Sequence, residues 1–220
     1  MFLIGLFQQF EMPALIVAIF AYILALILAL STREFVKAFV ANREGDVTAQ
    51  AMGRLTLNPF KHLDWLGLIF LLFLGFGWSK PVPINVNALK NGKKSVVKIV
   101  SASMVSNLIL AIIFSFFYAL TFLLDTSVTF FFFLQILCSF SMSINFVFFV
   151  FHLLPIYPLD GFLLLSLFVS PANKFLNFMY RYGFWILLVL LITNIFDYIL
   201  LALELLILNP LLNLWALILF

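Results

Sequence analysis

Residues 12–30 form an apolar run without a single charged side chain, and similar runs follow at 99–124, 126–151 and 182–196. A fifth, at 198–220, is interrupted by Glu204 and by Asn209-Pro210. About 20 consecutive apolar residues are needed to cross the hydrocarbon core of a bilayer as an α-helix. In lipid the backbone has no water to bond to, so only helices or a closed barrel can span. These runs are continuous rather than alternating, which selects helices. Composition agrees, with 65% of the 220 residues hydrophobic and 10% charged, against about 25% charged in a soluble domain. The expectation is an all-α integral membrane protein, a polytopic bundle of about 4–6 transmembrane segments in one domain over 1–220. Helices are expected at about 12–42, 99–124, 126–151, 182–203 and 205–220.

The stretch at 66–79 is too short to span and contains Gly67, Gly75 and Gly77 before Lys80-Pro81. It is expected to be re-entrant or interfacial, with a β-hairpin-like insertion at the cytoplasmic face. Charge supports this. Ten of the 12 Lys and Arg fall between Arg33 and Lys98, the others being Lys174 and Arg181. Positive charge favours the cytoplasm, and a non-spanning 66–79 keeps both basic segments, 33–61 and 80–98, on that side. The same topology brings Glu34 and Asp160 to one membrane face. No Lys or Arg precedes Arg33, so the first helix lacks a signal peptide's basic region and is expected to be retained. Cys138 stands alone and offers no disulfide framework. The net charge of +3 gives no sign of nucleic-acid binding, and the basic residues read as topology signals.

Ionisable residues within or beside membrane helices are costly and default to functional candidates. Arg33 and Lys37 are four apart and share one helix face, and Glu34 is within reach of Lys37. The plain alternative is a helix end whose cations snorkel to headgroups. In Leu154-Pro155-Ile156-Tyr157-Pro158-Leu159-Asp160-Gly161 the prolines end a helix and Asp-Gly turns the chain. Asp160 is then either a turn cap or a ligand or base held on rigid backbone. The polar, turn-rich stretch 53–64 reads as a short strand or hairpin at the membrane face. Within it, His62 is more readily a hydrogen-bonded structural group than a metal ligand, and the same holds for His152, the other histidine.

Taken in order, these segments resemble the site-2 protease family of intramembrane zinc metalloproteases, in its compact bacterial branch. The resemblance covers about residues 12–213. It rests on Arg33-Glu34-Phe35-Val36-Lys37 followed by Gly45-Asp46, on GRLTLNPFKHLDWLG at 53–67, on GWSKPVPIN at 77–85, on HLLPIYPLDG at 152–161 and on RYGFWILLVLL at 181–191. It implies a cell (inner) membrane location, zinc as cofactor, Glu34 at the general-base position and Asp160 as third zinc ligand. The family's H-E-x-x-H, however, carries Arg33 and Lys37 at its two histidine positions. Its A-G-P-x-x-N reads Ala102-Ser103-Met104-Val105-Ser106-Asn107, and the Asn before Leu-Leu-Pro is His152.

A catalytic zinc needs about three protein ligands. Arg33 cannot ligate, and Lys37 would have to lose its proton beside a carboxylate. That leaves Asp160, with Glu34 or His152. Without zinc the attacking water keeps a pKa near 15.7 rather than about 7. The expectation is therefore a pseudoprotease that binds no zinc and works by binding transmembrane segments or a partner membrane protein. The alternatives are an active zinc endopeptidase with unorthodox ligands and a transporter or channel subunit, although no inverted repeat is visible. Two carboxylates meeting at one depth need counter-charge, so Arg33 and Lys37 are expected to form an ion-pair cluster with Asp160, near Glu34.

Overall fold

The computed structural model describes residues 11–65, 67, 79–193 and 195–220. Among these it is all-helical, with no named strand and one isolated antiparallel bridge, Leu63 to Ser79. The helices are α1 (Met12–Arg43), the short α2 (Thr48–Ala51), α3 (Lys93–Thr121), α4 (Thr129–Leu153), α5 (Asp160–Phe168), α6 (Lys174–Ile192), α7 (Ile195–Leu203) and α8 (Asn209–Leu219). A π-helical segment, Glu204–Leu208, joins α7 to α8. The result is five helices long and apolar enough to cross a membrane: α1, α3, α4, α6 and the continuous Ile195–Leu219.

The centre is a three-helix bundle of α1, α3 and α4. Lipid tails are as apolar as leucine, so membrane helices associate through close packing and polar contacts between small residues. The sequence supplies both. On α3 the residues Ser103, Asn107, Ala111, Ser115 and Ala119 recur every fourth position, and all are buried. On α1, Ala21, Ala25 and Ala29 recur likewise and are inaccessible. Bulky side chains such as Ile16, Phe20, Ile109 and Phe117 point outward, to the lipid-facing side. Asn107 bonds Asn145 across the α3–α4 seam at 2.9 Å.

Several expected boundaries move. The third helix begins at Lys93 rather than 99, because Lys93, Lys94 and Lys98 end the apolar run without ending the helix. The helix expected at 182–203 is two elements: α6 starts at Lys174 and stops at Ile192, and α7 starts afresh at Ile195. The break expected at Glu204 and Asn209-Pro210 does not end the last span. The backbone widens into a π-turn, and Pro210 falls in the first turn of α8, where its missing N–H costs little.

The connections at the C-terminal end of α1 hold each other. Asp46, fully buried, accepts from the backbone N–H of Thr48 at 2.9 Å and of Asn85 at 2.6 Å. Arg54 donates to the Lys80 carbonyl at 2.6 Å, and the Lys80 N–H donates to the His62 carbonyl at 2.8 Å. The expected hairpin over 53–64 is instead a set of turns around a 3-10 helix, Pro59–Lys61. The re-entrant segment expected at 66–79 lies, apart from Gly67 and Ser79, outside the described residues.

Candidate functional site

Three elements converge where the C-terminal part of α1 meets the start of α5. On α1, Arg33, Glu34 and Lys37 are all buried, with relative exposures of 5%, 1% and 8%. The snorkelling alternative is therefore not what the structure adopts. Asp160 opens α5, whose N-cap is Leu159. It is not a cap, and its carboxylate turns to α1 instead.

What aims it there is local. After α4 the chain leaves the helix at Pro155 and turns over a cis Tyr157–Pro158 peptide, the Leu159 N–H donating to the Ile156 carbonyl at 2.8 Å. Gly161 then approaches the end of α4 so closely that a Cβ would overlap the Leu153 carbonyl oxygen and lie 2.6 Å from that of Leu154. Gly183 on α6 does the same against Tyr157, at 2.7 Å from its carbonyl oxygen. Two glycines thus let α4, the loop and α6 close into one rigid mount for Asp160.

Arg33 is the hub. Its Nη2 donates to Asp160 Oδ2, and its Nη1 donates to Glu34 Oε1 at 2.5 Å. Lys37 Nζ donates to Asp160 Oδ1 at 2.9 Å and Oδ2 at 3.1 Å. Glu34 does not pair with Lys37 as its spacing allowed. Its remaining acceptor capacity goes to Ser79 Oγ at 2.8 Å and to the Val82 N–H at 3.1 Å. His152, at the end of α4, places Nδ1 3.2 Å from Arg33 Nη2. A guanidinium has only donors, so Nδ1 must accept, which puts the imidazole proton on Nε2.

The cluster contains two cations and two carboxylates and sums to zero. Burial pushes the Asp160 carboxyl up, but the Arg33 and Lys37 cations beside it outweigh burial and hold it well below the usual carboxylate range. A cavity of about 350 Å³ opens onto the cluster. Its polar floor includes Arg33, Glu34, Lys37 and Asp160, and Leu30, Phe148, Phe151, Phe184 and Leu187 are among its apolar lining.

Of the other residues singled out from the sequence, Asn107 lies in the bundle interior, bonded to Asn145. His62 bonds the Thr56 carbonyl through Nε2 at 2.7 Å, within its own turn. Neither joins the cluster. Ser79 and Val82 were not singled out, although both fall inside the GWSKPVPIN stretch. No local pattern marks a hydroxyl and an N–H that reach a glutamate more than forty positions away.

Spanning helices around a polar cluster, on a loop–helix mount at one end of a bundle, define a polytopic membrane protein. Over 181 residues the chain is 38% identical to a Bacillus subtilis (strain 168) protein described as "Putative zinc metalloprotease YwhC", covering 81% of this chain and 83% of that one. The chain belongs to the family of that metalloprotease. No family model matches it, and no solved structure does.

Proposed function

We propose that this chain is a pseudoprotease of the site-2 protease type, a membrane protein that binds transmembrane segments, or a partner membrane protein, without cleaving them. The observation that carries the reading is that both side chains at the family's histidine positions are cations bonded to Asp160. The donor set does not fit zinc. Guanidinium and ammonium groups have no lone pair to give. Both Asp160 oxygens, both Glu34 oxygens and His152 Nδ1 already accept hydrogen bonds. A dication placed there would meet two fixed positive charges before it met a free ligand. The apolar walls of the cavity suit the side chains of a membrane helix, and its charged floor can hold a backbone group exposed where such a helix unwinds.

The Leu63–Ser79 bridge and the bonds from 80–82 to Arg54, His62 and Glu34 support placing segments 33–61 and 80–98 on one side of the membrane. The positive-inside rule makes that side the cytoplasm.

The test is metal content and cleavage. Purified protein, loaded with zinc and desalted, is expected to hold far less than one zinc per chain and to leave membrane-embedded test substrates intact. Arg33→His/Lys37→His restores two imidazoles beside Asp160 and is expected to take up zinc. Stoichiometric zinc in the wild type, with cleavage lost on chelation and on Glu34→Gln, would overturn the proposal.

A further inference from the structure

α6 is long and apolar enough to cross a membrane, yet its packing ties its middle to one end of the bundle. Gly183, its central residue, sits against the Tyr157 backbone in the turn after α4. Tyr180 packs on the rings of Tyr157 and Phe162, with centroids 5.3 and 4.9 Å apart. Leu187 joins the buried cluster of Phe151, Ile156 and Leu159. α6 has 19 residues, so neither of its ends lies more than about 14 Å from Gly183. α4, with 25 residues, is about 37 Å long. Whatever its tilt, α6 therefore stops about 20 Å short of the level of Thr129, at the far end of α4.

The last span starts at that same end and makes the crossing. Phe196 packs on Phe151, with centroids 5.4 Å apart, Leu208 packs among Ala111, Met142 and Phe146, and Trp215 Nε1 donates to Ser115 Oγ at 2.9 Å. α3 begins near α5, where Lys93 Nζ donates to the Leu167 carbonyl at 2.8 Å. Ser115 is thus about 33 Å along α3, toward the opposite end of the bundle. From Phe196 to Trp215 the rise is about 28 Å, close to the hydrocarbon thickness of about 30 Å.

The surface of α6 divides into three sectors at about 100° per residue. Leu176, Gly183 and Leu187 are buried against the protein. Phe175, Phe178, Tyr182, Trp185 and Val189 are exposed and fall within about 80° of one another. Lys174, Asn177 and Arg181, also exposed, fill about 60° beside them. Lys174 and Arg181 form no ion pair with a described residue. An aromatic sector next to a cationic one suits neither water nor the bilayer centre. It suits the interface, where aromatic rings rest among the upper acyl chains and long cations reach the headgroups.

We propose that α6 is a lipid-binding helix that does not cross the bilayer. It lies along the membrane interface at the Asp160 end of the bundle, Phe178 and Trp185 in the acyl chains and Lys174 and Arg181 at the phospholipid phosphates. The chain then crosses four times, through α1, α3, α4 and the continuous Ile195–Leu219. Asn177 and Phe220 consequently emerge on opposite faces of the membrane. If α6 crossed and the last span returned, they would share one face.

Two measurements on the full chain in a Cys138→Ala background test this. In sealed vesicles, a membrane-impermeant maleimide should label Asn177→Cys from the same side as Asn91→Cys, and Phe220→Cys from the opposite side. Asn177→Cys and Phe220→Cys labelled from one side would overturn the proposal. The second measurement is nitroxide depth at Asn177→Cys, Phe178→Cys and Trp185→Cys, read from relaxation by oxygen and by a water-soluble nickel chelate. All three labels should lie in the leaflet on the Asn91 side, with Asn177 the most accessible to nickel. On a crossing α6, centred on Gly183, the Trp185 label would lie past the bilayer midplane, and finding it there would overturn the proposal. So would an Asn177 label no more accessible to nickel than the Phe178 label, because the cationic sector would then not face the headgroups. The depth measurement decides the matter if Phe220→Cys reacts from neither side.

Discussion

Removing Arg33 should be the most damaging single change in the buried cluster. Arg33 alone touches Asp160, Glu34 and His152. Arg33→Ala leaves two buried carboxylates facing one ammonium, so the cluster goes from neutral to a net negative charge. Breaking a buried pair by deleting one partner costs about 3–5 kcal/mol, because a charge is left uncompensated. Lys37→Ala is milder. Asp160 keeps Arg33, and the loss is about 1.5–3 kcal/mol, as for hydrogen bonds to a charged group. For comparison, Lys98, with its side chain 57% exposed, pairs with Glu44 at 2.7 Å, and removing it should cost no more than about 1 kcal/mol. Adding Asp160→Asn to Arg33→Ala returns the cluster to one cation and one carboxylate. It should recover part of the loss, with a coupling of about 0.5–3 kcal/mol. Equilibrium unfolding in mixed micelles at increasing dodecyl sulfate fraction measures all five variants. Additive effects of Arg33→Ala and Asp160→Asn, or an Arg33→Ala no worse than Lys98→Ala, would refute the reasoning that these residues share one sheltered charge balance.

Hydrogen bonds from Lys98 and then Ser95 hold the Glu44 carboxyl down at about 2, below the ordinary glutamate value of about 4.3. A lowered folded value means that its stabilisation is complete above about pH 5 and drains away as pH falls toward 2. Lys98→Ala should move its titration midpoint upward by NMR, and an unchanged midpoint would contradict the assignment. Cysteines introduced at Thr48 and Asn91 in a Cys138→Ala background should be labelled from the same, cytoplasmic side of sealed vesicles. Labelling from opposite sides would mean that 66–79 crosses the membrane. Gly161→Ala should destabilise by about 1–3 kcal/mol, the usual cost of overpacking, because its Cβ would fall on the end of α4. Wild-type stability in that variant would show that the mount of Asp160 is not rigid.

The spans were legible in the sequence because a charge-free run of about 20 residues leaves the chain few other choices. Their ends were less so. Hydropathy reports where lipid stops, not where the backbone stops being helical, and α3 extends past its apolar run to include Lys98, Lys94 and Lys93. Between the end of α6 at Ile192 and the start of α7 at Ile195 the sequence carries neither Gly nor Pro, the strongest breakers. Asn209-Pro210 looked like a break and is absorbed by a π-turn. The meeting of Arg33 and Lys37 with Asp160 was legible for a different reason. Charges are so expensive in this setting that two cations and an acid placed at one depth have little alternative to finding one another. The bonds from Ser79 and Val82 to Glu34 obey no such necessity. They depend on where the chain returns after 66–79, which only the assembled fold supplies. With Arg33 and Lys37 turned to Asp160, these neutral donors complete the shell of the remaining carboxylate. They let Glu34 stay buried with a single cation rather than two. The cluster is thus closed by backbone and hydroxyl groups on one side and by charge on the other, and substitutions at Ser79 should act through Glu34 rather than through Asp160.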